Sequence, residues 1–244
     1  FLLQTHPDLP NAWDAWDVDR HYLHTSTDLD DAVALEFGTT DDGGAQLRVE
    51  RRFCATGASR AVQTLTLAPR AAYLDVSVHV DWHERDTFLK LAWPVDVHTD
   101  TARFETQFGH VTRPTHDNTS WDHWRFEVPA HRWVHVGEPG YGLAIANART
   151  YGWDVSRHAR PGGGSYSTVR ASLLRGPQFP DPMADEGEHD FTFRIVPGAS
   201  VADAVRHGYA VNHPPRDRHG HAVPPLVRVV PDPAGRGGTG AVVI

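Results

Sequence analysis

Apolar and polar residues alternate with a period of two along most of the first 200 residues. The clearest examples are residues 46–53 (QLRVERRF), 63–67 (QTLTL) and 73–80 (YLDVSVHV). Successive side chains of a strand point to opposite faces, so this alternation predicts half-buried strands. Similar runs predict further strands at residues 88–93, 125–128, 133–136, 143–146, 169–174 and 191–196.

Only one segment has a helical pattern. Ser200 is a suitable N-cap before residues 201–209, and Asp203 occupies the third position of a capping box. Pro214 and Pro215 then end the helix. Glycine-rich and proline-containing turns separate the strands, as at residues 161–164. Many strands with almost no helix predict an antiparallel sandwich or barrel.

Residues 213–236 have a different composition, rich in Pro, Gly, Arg and His and low in pattern. We interpret them as a linker, with an exposed stretch at residues 218–221, that leads to a further small β domain. The predicted domains are therefore 1–212 and 213–244. Because the sequence starts with Phe1 and its last five residues read as the beginning of a strand, we expect a piece of a longer protein.

Composition excludes several classes of protein. The formal net charge of −8 argues against a nucleic-acid partner. No apolar run reaches the roughly 20 residues of a membrane span. Cys54 is the only cysteine, which excludes an internal disulfide and a cysteine-based zinc site. Lys90 is the only lysine, and we interpret that bias as genome composition.

Four blocks of sequence have a shared family likeness. They are residues 108–136 (FGHVTRPTHDNTSWDHWRFEVPAHRWVHV), 13–17 (WDAWD), 81–84 (DWHE) and 151–155 (YGWDV). In order and spacing they resemble the C-terminal region of glycoside hydrolase family 38, the α-mannosidases, and in particular its bacterial and cytosolic-type branch. The resemblance covers roughly residues 2–211. Residues 180–189 (PDPMADEGEH) are similar to the family's loop before its final sandwich strand.

This resemblance carries expectations about fold and function. It implies an all-β fold, a large antiparallel two-sheet sandwich of the galactose-mutarotase type, to which the pattern adds one short helix near the C-terminal end. It implies a cytoplasmic, retaining enzyme that hydrolyses terminal α-mannosides. The family's Asp nucleophile and its zinc, bound by His and Asp, belong to an N-terminal catalytic domain that this chain lacks.

Several consequences follow for this chain by itself. No catalytic residue, metal ligand or cofactor is assigned to it, and alone it should be inactive. The resemblance gives it the role of supporting the catalytic domain and closing one wall of the sugar pocket. The expected partners are that domain of the same polypeptide, an α-mannoside, and a second copy of the chain in a homo-oligomer.

Residues 13–17 are the first candidate for a pocket wall. In a strand, Trp13 and Ala15 would face one side, and Asp14 and Trp16 the other. An aromatic ring beside a carboxylate is typical of sugar sites, because the ring packs on the sugar and the carboxylate accepts hydroxyl hydrogen bonds. Core packing of both tryptophans explains the same pattern. The candidate wall residues are Trp13, Asp14, Trp16, Asp17, Asp181 and Asp185.

A retaining glycosidase needs two carboxyl groups about 5–5.5 Å apart, and an inverting one about 6.5–9.5 Å. Asp14 with Asp17, Asp181 with Asp185, and Asp122 with Glu127 are the pairs that could supply such a spacing. An acidic surface offers many such pairs by chance, so we assign none of them to catalysis.

Residues 109–121 predict a loop. Pro114 biases Arg113 to extended geometry, and the polar residues after it can bond nearby backbone. Such a loop has two suitable roles, lining a pocket or docking on a partner domain. The residues for either role are His110, Arg113, His116, Trp121 and Asp122. If a partner domain is missing, an exposed apolar patch is expected here and at residues 13–17.

Seventeen histidines raise the question of a metal. His131 and His135 would share one face of a strand, and His110 and His116 are near in sequence. Zinc needs three or four converging ligands, and no known spacing of zinc ligands is present. We therefore favour histidines that pack around the tryptophans.

Three other functions remain open. A carbohydrate-binding module would need an exposed aromatic platform, as Trp13, Trp16 or Trp153 could provide. An independent sugar enzyme, a mutarotase or a lyase, would need a histidine and a carboxylate that converge in a concave face. A purely structural domain would have no pocket. Fold alone does not choose among them.

Overall fold

The computed structural model describes residues 1–53 and 58–214 and the short strands at 228–229 and 242–243. The chain forms two compact units, Phe1–Asn212 and His213–Ile244. In the second unit, Arg228–Val229 pairs antiparallel with Val242–Val243. Cys54, the proposed exposed stretch 218–221 and most of the proposed linker lie outside the described residues.

Two antiparallel sheets build the first unit, which confirms the predicted all-β sandwich. The six-stranded sheet has the order β10 (Val128–Pro129), β13 (Gly152–Ala159), β14 (Ser165–Leu174), β7 (Thr87–Val95), β1 (Leu2–Pro7), β2 (Thr27–Asp28). The nine-stranded sheet has the order β3 (Ala34–Thr39), β4 (Ala45–Phe53), β5 (Ser59–Leu67), β6 (Leu74–Trp82), β15 (Gly187–Pro197), β12 (Tyr141–Asn147), β11 (Trp133–Glu138), β8 (Thr101–Thr106), β9 (Gly109–Pro114).

The main core lies between the sheets and is built around aromatic rings. Trp93 of β7 stacks on Trp153 of β13 with a centroid distance of 6.2 Å. Phe193 of β15, on the opposite sheet, meets Trp93 edge-on at 5.1 Å. Trp153 is fully buried in this cluster, so it cannot serve as the exposed platform of a carbohydrate-binding module.

Strand β7 is buried on both faces, which simple alternation does not explain. Leu89, Leu91 and Trp93 face the main core. On the opposite face, Phe88 and Lys90 are also buried, because the 3-10 helix Arg20–His24 covers them. The buried polar side chains around Lys90 lie on this covered outer face of the six-stranded sheet.

The predicted helix is present as α2 (Val201–Asn212) and is capped as expected. The Ser200 hydroxyl accepts from the Asp203 amide at 3.2 Å, and the Asp203 carboxylate accepts from the Ser200 amide at 2.9 Å. The helix packs on β11 and β12, where its Gly208 lies against Trp133. No helix in the part of the chain that the structure describes is long and apolar enough to cross a membrane.

Two local predictions need correction. Residues 125–128 were predicted as a strand, but only Val128 belongs to one, because Phe126 and Glu127 turn inward to cover the sheet. Residues 109–114 form the edge strand β9 rather than a loop, since the apolar Val111 pairs with Phe104 of β8. The true loop starts at Thr115 and leads into the one-turn helix α1 (Ser120–His123).

Candidate functional site

Residues 13–17 form a turn and not a strand. Trp13 has a φ of 60°, and its carbonyl accepts from the amides of Trp16 at 2.7 Å and Asp17 at 2.9 Å. The alternating-face interpretation of these residues is therefore wrong. The turn leaves Trp13 73% exposed and Trp16 65% exposed, so neither tryptophan belongs to the core.

Asp14 attaches this turn to a second loop. Its carboxylate accepts from the backbone amides of Gln178 at 2.8 Å and Phe179 at 2.9 Å. The clamp brings the Phe179 ring to 6.4 Å from the Trp16 ring, and Phe179 is itself mostly exposed. Trp16 and Phe179 thus form an exposed pair of rings, Trp13 is exposed on the same turn, and the Asp14 carboxylate joins the two loops. We call Trp13, Trp16 and Phe179 the aromatic ridge.

The two acidic candidates of the second loop have different surroundings. Asp185 accepts from the amides of Arg175 and Gly176, both at 2.9 Å, so its carboxylate shapes the loop. Asp181 is exposed and accepts only from the nearby Met183 amide at 3.0 Å. Asp17 is equally exposed and accepts only from the Val18 amide at 2.9 Å. Asp17 and Asp181 are thus the carboxylates with accessible oxygens beside the ridge.

A cavity of about 350 Å³ is lined by residues of both sheets, among them Phe104 and Arg113 of the nine-stranded sheet and Asp154 and Ser156 of the six-stranded sheet. Its walls come from the 3-10 helix, the end of β9, the loop into α1, and β13. Arg20 of the 3-10 helix and Asp117 of the loop are paired across it at 2.7 Å. A sandwich without a pocket would have favoured a purely structural domain, and the cavity removes that support.

Only part of the predicted loop set lines this cavity. Arg113, His116 and Asp122 do so, as the pocket-lining role requires. Trp121 points to solvent and is 74% exposed. His110 lies on β9 with its ring 5.7 Å from the Trp133 ring, away from the cavity. His110 and His116 are near in sequence, but most of the extended strand β9 lies between them.

A buried polar network forms the floor under the cavity. The Lys90 ammonium is fully buried, lies 2.7 Å from Asp154, and also pairs with Glu127. Arg170 reaches the other oxygen of Asp154 at 2.5 Å. The Tyr22 hydroxyl donates to Glu127 at 2.5 Å. Burial opposes ionisation of Asp154, but the charges of Lys90 and Arg170 outweigh it and lower the pKa of that carboxyl.

This network anchors the two segments that cover the sheet. Tyr22 comes from the 3-10 helix, and Glu127 comes from the segment after α1, so both covering segments end on Lys90. Burial, followed by the negative charges of Glu127 and Asp154, raises the pKa of Tyr22 far above its usual range. The one sequence signal was Lys90 itself, a charge inside the apolar run FLKLAW, where an ordinary surface lysine would not occur.

The histidines do not assemble into a site. His131 precedes β11, so it does not share a strand face with His135, and the prediction for this pair is wrong. His135 is buried, its Nε2 donates to the Ala199 carbonyl at 2.8 Å, and burial lowers its pKa. In residues 1–53 and 58–214, no three His, Cys, Asp or Glu side chains converge as metal ligands would.

Comparison with known proteins agrees with this architecture. The family profile described as "Glycosyl hydrolases family 38 C-terminal domain" matches residues 1–183. This chain belongs to glycoside hydrolase family 38. It corresponds to the family's C-terminal domain, which confirms the resemblance found in the sequence.

The relatives place the chain within longer proteins. It is 40% identical over 211 residues to "Alpha-mannosidase 2C1" of Homo sapiens, covering 85% of this chain and 19% of that protein. It is 31% identical over 213 residues to "Alpha-mannosidase" of Saccharomyces cerevisiae, covering 84% and 19%. The chain therefore spans about a fifth of the length of these relatives.

A solved structure shares the fold. The chain superimposes on "The crystal structure of an alpha-mannosidase from Enterococcus faecalis V583" with a TM-score of 0.67, 13% identity, and coverage of 86% of this chain and 27% of that one. At that identity the likeness concerns the fold alone. The structural likeness therefore supports the sandwich fold, and the family assignment rests on the sequence matches.

Proposed function

We propose that this chain is the supporting and pocket-closing domain of a retaining, zinc-dependent enzyme that hydrolyses terminal α-mannosides. The catalytic nucleophile and the zinc ligands belong to an N-terminal catalytic domain of the same polypeptide. The chain alone has no hydrolytic activity. The enzyme acts in the cytoplasm, as its likeness to the cytosolic-type branch suggests.

The aromatic ridge is the observation that carries this proposal. Trp13, Trp16 and Phe179 are all exposed, the Trp16 and Phe179 rings lie 6.4 Å apart, and the Asp14 carboxylate joins their two loops. A rigid aromatic surface with accessible carboxylates suits the apolar face and hydroxyls of a hexose. In the complete enzyme this ridge would face the catalytic domain and form one wall of the mannose pocket.

The test uses the complete polypeptide that contains this chain and an aryl α-mannoside. Trp16→Ala should raise KM by about tenfold or more with a smaller change in kcat, since the ring contacts substrate but not the reacting atoms. Phe37→Ala, at an exposed aromatic of the distant edge strand β3, is the matched control and should leave both constants unchanged. Unaltered KM in Trp16→Ala would refute the wall.

Two further measurements address the division of labour. The 244-residue chain alone should give no turnover, and a metal chelator should abolish turnover by the complete polypeptide in a way that zinc restores. Activity of the isolated chain after rigorous removal of contaminating glycosidases would overturn the assignment of catalysis to the other domain.

A carbohydrate-binding module is the second candidate, because exposed Trp13 and Trp16 are the platform that it requires. It predicts that the isolated chain binds methyl α-mannoside. The pocket-wall proposal predicts no measurable binding at millimolar sugar without the catalytic domain, so titration calorimetry of the isolated chain separates the two.

A further inference from the structure

The cavity that Arg20, Arg113 and Asp154 help to line contains several charged side chains. Most charged groups around it already have a partner. Arg20 pairs with Asp117 at 2.7 Å, and Arg157 pairs with Asp100 on the rim. The arginines near the cavity therefore fall into two groups, those paired with a carboxylate and those without such a partner.

The carboxylates of the cavity are also engaged. Asp154 is held by Lys90 and Arg170 in the floor. Asp122 accepts from the Thr119 hydroxyl at 2.8 Å, and the His116 ring lies 3.9 Å from it. In the described part of the chain, none of these carboxylates lies within 4.0 Å of Arg113 or Arg125.

Among the described arginines that line the cavity, Arg113 and Arg125 are the two without a carboxylate partner. Both line the cavity, and neither lies within 4.0 Å of a carboxylate among the residues for which the structure is described. The Nε of Arg113 is buried and has no hydrogen-bond partner. Its only notable neighbour is the Phe104 ring, 5.9 Å from the guanidinium carbon. Burial first, and then the charge of Arg125, lowers the pKa of Arg113.

We propose that this cavity binds the oxyanion group of a small molecule, a phosphate or a carboxylate, between Arg113 and Arg125. A planar guanidinium presents a fork of donors that matches such a group, and two forks with one anion remove the repulsion between the cations. The volume of about 350 Å³ falls within the range of small-molecule sites.

The apolar part of the wall limits the rest of the ligand. Phe104, Phe126 and Leu23 line the same cavity, so a bound molecule has an apolar surface to rest on while its anionic group meets the arginines. The site goes beyond the proposed mannosidase role, because it requires neither the aromatic ridge nor hydrolysis.

Inorganic phosphate is the probe for the test. Titration calorimetry at pH 7 and constant ionic strength, on the complete polypeptide that contains this chain, should give one site. Arg113→Gln and Arg125→Gln should each weaken binding by about tenfold or more, because each removes a charge-assisted contact. Arg113→Lys should bind with intermediate affinity, since it keeps the charge and loses the fork.

Arg52→Gln is the matched control, because Arg52 is an exposed arginine on β4, near the opposite edge of the nine-stranded sheet from β9. It should change phosphate affinity by less than about twofold. Near-ultraviolet circular dichroism of each variant checks the fold, and the conservative Lys variant keeps the test valid if a Gln variant fails to fold.

Acetate competition distinguishes the two forms of the ligand. Displacement of phosphate by acetate at similar concentration indicates a carboxylate ligand, and resistance to acetate indicates a phosphate ligand. Absence of phosphate binding, or binding that the arginine substitutions leave intact, overturns the proposal. A site already filled by a carboxylate of the remaining polypeptide would also show no phosphate binding, and it would overturn the proposal too. Neither result depends on mannoside turnover.

Discussion

The Lys90 ammonium lies 2.7 Å from the Asp154 carboxylate, beneath two segments that cover the outer face of a β-sheet. Lys90 is fully buried, and Asp154 is almost so. An isolated charge at either position would be very costly, so each is retained by the other and by Glu127 and Arg170. Because Tyr22 and Glu127 end on the same ammonium, the pair also fixes the cover of the neighbouring cavity.

Replacement of Lys90 by methionine should therefore destabilise the chain strongly. Methionine fills a similar volume but removes the cation that the buried Asp154 and the half-buried Glu127 share, and breaking a buried pair in this way costs about 3–5 kcal/mol. Urea denaturation at pH 7, followed by tryptophan fluorescence, measures the change in free energy of unfolding.

The control for that experiment is Arg206→Met, which breaks the exposed ion pair between Arg206 and Asp203. Exposed pairs contribute at most about 1 kcal/mol, so this variant should unfold close to the wild type. Equal losses in the two variants, or a loss below about 1 kcal/mol for Lys90→Met, would mean that the buried network is not a stabilising anchor.

Sequence pattern captured the strands that have one face in the core and one in solvent. Residues 46–53 match β4 closely, and residues 73–80 fall largely within β6, because there alternation and burial coincide. Strand β7 departs from the rule, since the 3-10 helix buries its second face too. The pattern could not reveal this, because the covering residues lie about 65 positions away in sequence and themselves show no periodicity.

The candidate site was predicted only in part for a related reason. Family likeness singled out residues 13–17, but their turn depends on the Asp14 contact with Phe179, which lies 165 residues away. Arg125 was not singled out at all, because a single arginine has no local signature of being unpaired. Lys90 did have a local signature of burial, because it is a charged residue inside the apolar run FLKLAW. Interpreting it as genome composition missed the buried network.

His6 provides a prediction about pH. Its ring is buried against Tyr22, and burial lowers its pKa from 6.5 to about 4. The unfolded chain thus binds a proton at His6 that the folded chain does not bind between pH 6.5 and pH 4. The contribution of neutral His6 to the free energy of unfolding is complete above about pH 7 and decreases as the pH drops through this window. At pH 5 the free energy of unfolding is lower by about 2 kcal/mol because of this group alone.

His6→Gln isolates that contribution, because glutamine does not titrate. The loss of unfolding free energy between pH 7.5 and pH 5 should be smaller by about 2 kcal/mol in the variant than in the wild type. His79→Gln, at an exposed histidine for which no such burial applies, is the control and should leave the loss unchanged. An identical pH dependence in wild type and His6→Gln would contradict the buried neutral state.

Helix α2 offers a contrast between two substitutions. Ser200→Ala removes the N-cap hydrogen bond that the Ser200 hydroxyl accepts from the Asp203 amide, and it should lower the free energy of unfolding by about 1 kcal/mol. Gly208→Ala would raise stability by about 1 kcal/mol in an exposed helix. Here the added Cβ would lie 2.7 Å from the Trp133 ring and 3.3 Å from the Arg132 Cβ, so it should destabilise instead. Thermal melting decides the sign, and a higher Tm in Gly208→Ala would show that the helix does not pack as closely on β11.

The exposed tryptophans of α1 and its C-cap give the last prediction. Trp121 is 74% exposed and belongs to the segment for which the sequence left pocket lining and docking open. Trp124 follows that segment and is 72% exposed. Exposed aromatic area favours burial, so the 244-residue chain should self-associate as its concentration rises into the tens of micromolar. Sedimentation velocity should show this, and Trp121→Ser with Trp124→Ser should shift the chain to monomer. Phe37→Ser, at a 78% exposed ring on the edge strand β3, is the matched control. A monomer at every concentration would remove the docking role from α1. Association that only Phe37→Ser abolishes would also do so, and it would assign the associating surface to β3.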